Sequence, residues 1–256
     1  MKVIGVMGPS YCGSTIVGLA LGQLDGVVCA GEVHRLVTYE KWGLRASKKC
    51  PERLRQRFGK SFPGWYRHLG AELGATRAFV TTDKNPSIYR LFHPPEVLIF
   101  PYKDPRAQVA SFIRHSPEKK SIQFWRNYLV DVYCRCILYT MQHNVPVVSM
   151  SLTDLSNHPA ETFRALTKSL ELPYRVEMLN YWVNPPLMFG GNDHVNTWNY
   201  DMPDDKEWEK RFHHKIGHDD RWKTELSRED SDYIAHNCQV RLIQTWLTRR
   251  KVSPLD

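Results

Sequence analysis

The apolar run Val3-Ile4-Gly5-Val6-Met7 opens onto Gly8-Pro9-Ser10-Tyr11-Cys12-Gly13-Ser14-Thr15, and a helical apolar pattern (Ile16, Leu19, Ala20) follows at once. No other stretch constrains the chain as strongly. A strand, a G-x-x-x-x-G turn and a helix in that order form the skeleton of a phosphate-binding loop. The glycines let the backbone wrap, so successive N–H groups converge on an anion and the helix dipole adds positive potential. Ser14 and Thr15 add hydroxyl donors. A loop serving a nucleoside triphosphate carries lysine directly after its second glycine; here Ser14 stands there. Backbone donors alone can hold one phosphate, but they serve a triphosphate with Mg²⁺ poorly. Asp83, after Phe79-Val80-Thr81-Thr82, imitates a magnesium-binding acid at a strand end, yet Lys84 beside it disfavours ligation of a cation. The same residues also suit a plain strand-turn-helix whose glycines serve geometry alone.

The rest of the chain repeats this alternation. Lys2–Met7, Ala78–Thr82, Glu96–Tyr102 and Pro146–Met150 are near-continuously apolar, as strands covered on both faces must be. Between the last two, Trp125, Tyr128, Leu129, Val132, Tyr133, Cys136 and Ile137 follow the 3-4-3 spacing of a core-facing helix. Asn157 and His158 ahead of Pro159 open a helix over Pro159–Leu170. A last helix starts at the capping box Ser227-Arg228-Glu229-Asp230 and runs through Ile234, Cys238, Leu242, Ile243 and Trp246. The pattern predicts an α/β fold: a single domain over 1–256 with a central, mainly parallel sheet flanked by helices. Residues 35–75 read as helical excursions over the sheet. Residues 184–205, with Pro185-Pro186 and Gly190-Gly191, read as a lid loop or a solvated connector.

Composition narrows the partners only a little. Lys and Arg number 35 against 27 Asp and Glu, a net charge of +8 that favours an anionic partner. No tract of five or more like charges suggests a nucleic-acid tail. The six cysteines contain no C-x-x-C pair, so no zinc spacing is present and they read as buried or free thiols in a reducing compartment. No apolar run reaches the ~18 residues of a membrane span. The short stretch before the loop reads as too short for a signal peptide, and a cytoplasmic site is the expectation.

A second anion motif follows the run Val97-Leu98-Ile99-Phe100-Pro101-Tyr102. Asp104 suits a helix N-cap and Pro105 its first position, which leaves Lys103 at the carboxyl edge of the sheet. Ala107, Ser111 and Arg114 then share one helix face. Lysine, serine hydroxyl and arginine at one strand end make a second phosphate pocket. On its own, Lys103-Asp104-Pro105-Arg106 also reads as a solvated cap.

Together these segments resemble the sulfotransferases that use 3′-phosphoadenosine 5′-phosphosulfate (PAPS). Pro9-Ser10-Tyr11-Cys12-Gly13-Ser14-Thr15 is similar to the loop that grips the 5′-phosphosulfate. Ala30-Gly31-Glu32-Val33-His34-Arg35 resembles the Gly-Glu segment of the carbohydrate, tyrosyl-protein and bacterial members, and Thr82-Asp83-Lys84-Asn85-Pro86 their Lys-x-Pro turn. Tyr102-Lys103-Asp104-Pro105-Arg106 followed by Ser111 resembles the element that binds the 3′-phosphate. Arg221-Trp222-Lys223, ahead of Leu226-Ser227, adds to the likeness, which spans about 1–115 and 218–248.

The resemblance implies a P-loop NTPase-like architecture and PAPS as donor, with adenosine 3′,5′-bisphosphate (PAP) as product and no metal. Sulfuryl transfer to a hydroxyl, or an amine, of a soluble small-molecule or carbohydrate acceptor is expected, with no nucleic acid or membrane as partner. It assigns Pro9 to Thr15 to the 5′ end and Lys103, Ser111 and Arg114 to the 3′-phosphate. It assigns Lys84 to charge developing on the bridging oxygen and Glu32 or His34 to the base. Three departures stand out. Tyr11 occupies a position usually Lys or Arg, Lys103 replaces an arginine and loses its fork, and Val33 stands where some members carry the working carboxylate, which keeps His34 a rival to Glu32. Trp42, Trp65, Tyr66, Trp182 and Trp198 are candidates for an acceptor pocket, or for core packing. A nucleotide or small-molecule kinase and a basic nucleic-acid-binding protein are the alternatives.

Overall fold

The central strand of the sheet is the one that feeds the first glycine loop. In the computed structural model, which describes residues 1–33, 57–58, 62–83, 86, 94–116, 119–182 and 219–253, five strands form one sheet. They are β1 (Lys2–Val6), β2 (Val27–Gly31), β3 (Ala78–Thr81), β4 (Val97–Tyr102) and β5 (Val147–Ser151), in the order β2-β3-β1-β4-β5. All four pairings are parallel. Every residue of β3 and the first five of β4 are buried, because helices cover both faces.

Side-chain alternation divides the core in two. Val3, Phe79, Leu98 and Phe100 face a cluster built with α2 (Trp65–Glu72) and α4 (Ile122–His143), including Leu69, Leu129 and Tyr139. Ile4, Val6, Val80 and Ile99 face the opposite cluster, built with α1 (Ser14–Leu21) and α6 (Pro159–Ser169), including Val17, Leu21, Phe163 and Leu166. α5 (Leu152–Asn157) precedes α6, and α3 (Pro105–His115) follows β4. The outer edge of β5 is covered near the chain end: Ser149 N–H donates to Arg250 O at 2.8 Å and Val252 N–H to Ser149 O at 2.9 Å.

The predicted strands and the core-facing helix that carries Trp125 to Ile137 are present, and three features differ from the sequence reading. β2 has no counterpart among the predicted strands. It is short, starts after Gly26 and ends at Gly31, and lies at the sheet edge. The predicted last helix is two helices, α8 (Arg228–Ala235) and α9 (Cys238–Thr248), preceded by the short α7 (Trp222–Glu225). The break has a cause: the Asn237 side chain accepts from Val240 N–H at 3.1 Å and caps a new start. Leu242, placed on the core stripe by the continuous-helix reading, is 70% exposed. Third, α5 comes ahead of Pro159: the Ser151 side chain caps it, and Asn157 ends it instead of opening the next helix. Of the predicted excursion over 35–75, residues 57–58 and 62–75 are described and include α2; the rest, and all of 184–205, lie outside the described residues. Among the described residues no helix is long and apolar enough to cross a membrane.

β1 and β4 are neighbours, with Val6 opposite Ile99 and Met7 N–H donating to Ile99 O at 2.9 Å. Their carboxyl ends therefore deliver the glycine loop and Lys103 side by side, at the crevice where open parallel sheets take ligands.

Candidate active site

α1 begins in a way that leaves its first turn open. Its N-cap is Gly13, which offers no side-chain cap, and its first turn carries no acid. The first-turn N–H groups keep their capacity to bind an anion. α3 contrasts with it, since Asp104 accepts from Arg106 N–H at 2.8 Å and caps that helix itself. Anion binding beside α3 must come from side chains instead.

Gly13 is fixed twice over. Its φ is +89°, and a Cβ there would lie 2.7 and 2.8 Å from the Leu152 methyls. Gly13→Ala should therefore destabilise the fold by about 2–3 kcal/mol, read as a shifted denaturant midpoint, and should weaken anion binding at the loop. Gln108, buried in α3, donates its side-chain amide to Ser10 O and ties the loop to the helix that carries the second motif.

At the second motif, Lys103 Nζ donates to Ser111 Oγ at 2.7 Å, and that hydroxyl lies 2.9 Å from Ala107 O. The lysine is 10% exposed, and burial pulls its pKa down against the opposing charge of Asp219. Asp219 Oδ2 lies 3.3 Å from Lys103 Nζ, and Asp219 Oδ1 accepts from Arg221 Nε at 2.8 Å. Burial alone would raise this carboxyl; hydrogen bonding from Arg221 and the charges of Lys103 and Arg221 outweigh it and hold it at about 2. Arg114 Nε donates to Glu225 Oε1 at 2.9 Å, while its Nη1 is buried 3.8 Å from Asp219 with no hydrogen-bond partner among the described residues. The Arg106 guanidinium is held by Asp104 and lies 3.9 Å from the centre of the Trp222 ring. His115 stacks on Tyr11 with ring centres 4.8 Å apart; burial, then the charges of Arg114, Arg221 and Lys103, push its pKa down.

Both motifs open onto one cavity of about 530 Å³, within the size range of small-molecule sites. Tyr11, Gly13, Ser14 and Thr15 line one part; Lys103, Arg106, Ser111, His115, Arg221 and Lys223 line another, with Leu152 and Thr153 between the helices. Arg114 stands behind the wall, joined to it through Asp219. Pro9 and Ser10 face a separate hollow of about 290 Å³, together with Gly8, Pro86, Tyr128, Val132 and Arg135. The Cys12 side chain is fully buried and its N–H donates to Pro9 O at 3.2 Å.

Glu32 follows β2, two strands from β1, and is 8% exposed; it does not line the large cavity. His34 and Lys84 lie outside the described residues. Asp83 is fully buried and accepts from Thr81 Oγ1 at 2.7 Å and Tyr66 OH at 3.1 Å, away from the cavity lining. Trp65, Tyr66 and Trp182 are core residues, and Trp42 and Trp198 lie outside the described residues.

Sequence reasoning did not place His115, Asp219, Arg221 or Lys223 in the site. His115 continues the face of Ser111 by one helical turn and was within reach of the spacing argument. Asp219 lies 116 residues from Lys103 along the chain, and no local pattern marks it.

No family model and no curated protein matches the sequence. Among solved structures, the sulfotransferase domain from the curacin biosynthetic pathway matches with a TM-score of 0.66 at 15% identity, over 96% of this chain and 97% of that one. The sulfotransferase domain from the Synechococcus PCC 7002 olefin synthase matches with a TM-score of 0.63 at 14% identity, over 95% and 94%. The chain has the sulfotransferase fold along nearly its whole length.

Proposed function

We propose that the chain is a cytoplasmic, PAPS-dependent sulfotransferase acting on a hydroxyl, or an amine, of a small-molecule or carbohydrate acceptor. The observation that carries this reading is the one cavity that joins an uncapped helix start to a buried Lys103–Ser111 cradle. The two ends differ in kind: backbone donors suit a 5′ group, and fixed cations suit a 3′-phosphate. Arg114 Nη1 supports the fit further, because a buried donor with no acceptor among the described residues is costly and a phosphate has more oxygens to offer than the carboxylate now nearest it.

In this reading the first-turn N–H groups of α1, with the Ser14 and Thr15 hydroxyls, donate to the 5′ end and stabilise charge on the bridging oxygen as it leaves. Lys84 adds a cation there. Lys103, Ser111 and Arg114 fix the donor's orientation, so that much of the acceleration comes from positioning. The acceptor oxygen or nitrogen forms its bond to sulfur as the bridging bond breaks, its proton passes to Glu32 or His34, and adenosine 3′,5′-bisphosphate departs. The hollow beside Pro9 and Ser10 offers room for an acceptor at the same loop.

Thermal-shift measurements test this against the two alternatives. The bisphosphate should raise Tm with or without chelator, while Mg-ATP and a random oligonucleotide should not. A shift with Mg-ATP alone would favour a kinase; salt-steep binding of the oligonucleotide alone would favour a nucleic-acid protein.

A further inference from the structure

The second cradle already holds an anion. Asp219 Oδ2 lies 3.3 Å from Lys103 Nζ, 3.4 Å from Ser111 Oγ and 3.8 Å from Arg114 Nη1, and Oδ1 accepts from Arg221 Nε at 2.8 Å. Lys103, Ser111 and Arg114 are the groups that the donor reading gives to the 3′-phosphate. A carboxylate and a phosphate cannot occupy that place together, because like charges repel most strongly where water is excluded.

We propose that Asp219 is an internal substitute for the 3′-phosphate, and that it sets donor specificity by yielding its place only to a group that satisfies the cradle better. The inference rests on the reading of the cavity as a site for a nucleotide phosphorylated at both the 3′ and 5′ positions. Three consequences follow from the geometry. The buried Lys103 keeps a counter-charge in the empty site, so the cradle stays assembled. The apparent affinity for the bisphosphate is reduced by the fraction of molecules in which Asp219 holds the seat. A nucleotide with a 3′-hydroxyl brings nothing that replaces the lost ion pairs, so it binds with Asp219 still in place.

Exposure favours departure toward water. Asp219 is 19% exposed and its partner Arg221 is 60% exposed, against 10% for Lys103. The carboxylate is thus the more exposed member of its pair with the lysine. Its return when the bisphosphate departs would oppose rebinding of product.

Calorimetric titration of adenosine 3′,5′-bisphosphate and of 5′-AMP into the wild-type chain, Asp219→Asn and Asp219→Ser tests the proposal, with circular dichroism confirming that each variant folds. Both variants should bind the bisphosphate about tenfold more tightly than wild type, with 5′-AMP affinity unchanged. Bisphosphate binding that stays equal or weakens in both variants would make Asp219 a strut for Lys103 and overturn the inference, leaving the donor reading intact. An equal gain for 5′-AMP would overturn it as well, by showing a general charge effect. Absence of bisphosphate binding in all three proteins would overturn the donor reading itself, and this inference with it.

Discussion

Glutamine in place of Glu32 should lower turnover by roughly 10²–10⁴-fold while leaving bisphosphate affinity unchanged, the loss expected when a general base is removed. The position is well held. Glu32 is 8% exposed, and Gly31 O before it accepts from Val33 N–H at 3.0 Å and Thr82 N–H at 2.9 Å. Glutamine keeps the size and shape of the side chain but cannot take a proton, so the variant separates chemistry from architecture. Steady-state transfer from labelled PAPS to a panel of hydroxylated small molecules reads the effect. His34→Asn, which removes the rival base, is measured beside it. If only His34→Asn loses turnover, the base is His34; if both variants keep wild-type rates, neither residue is the base.

The second large effect is at Lys103. Lys103→Met keeps the apolar stem but removes the ammonium that donates to Ser111 and faces Asp219. Truncating one partner of a buried, hydrogen-bonded charge pair costs about 2–5 kcal/mol. Bisphosphate affinity should therefore fall by about 30-fold or more. Asp219 retains Arg221 as a partner, so the fold should survive the change. Lys103→Arg should keep binding, because the charge remains and a fork is added. Calorimetry on both variants checks the pair, and equal affinity in Lys103→Met would remove the lysine from the donor site.

Local signals carried much of the architecture. Near-continuous apolar runs located β1, β3, β4 and β5, since strands buried on both faces leave that mark. Asp104 and Pro105 located the start of α3, and its one-face spacing brought Ser111 to Lys103. β2 escaped because five residues that follow one glycine and end on another give a pattern too short to separate from a loop. The division of the last helix rests on one asparagine whose capping role depends on the local chain path.

The candidate site was legible where it lies within one strand-turn-helix unit and opaque where it joins distant units. Tyr11 to Thr15 and Lys103 to Arg114 are of the first kind. Asp219 and Arg221 are of the second, because their places depend on how the α7–α9 region packs over α3, as the Arg114–Glu225 and Arg106–Trp222 contacts show. Trp65, Tyr66 and Trp182 took the core-packing alternative, and the sequence left that choice open for a related reason. Aromatic side chains serve cores and binding walls alike, and Trp65 settles into the core with its indole N–H donating to Phe58 O at 3.1 Å.

The central claim is that one cavity grips a nucleotide at two separate points. Calorimetric comparison of 5′-AMP, 3′-AMP and adenosine 3′,5′-bisphosphate at one ionic strength addresses it directly. The bisphosphate should bind about 100-fold more tightly than either monophosphate, because each of those leaves one grip unused. A monophosphate that matches the bisphosphate would contradict the account, since only one of the two grips would then be real.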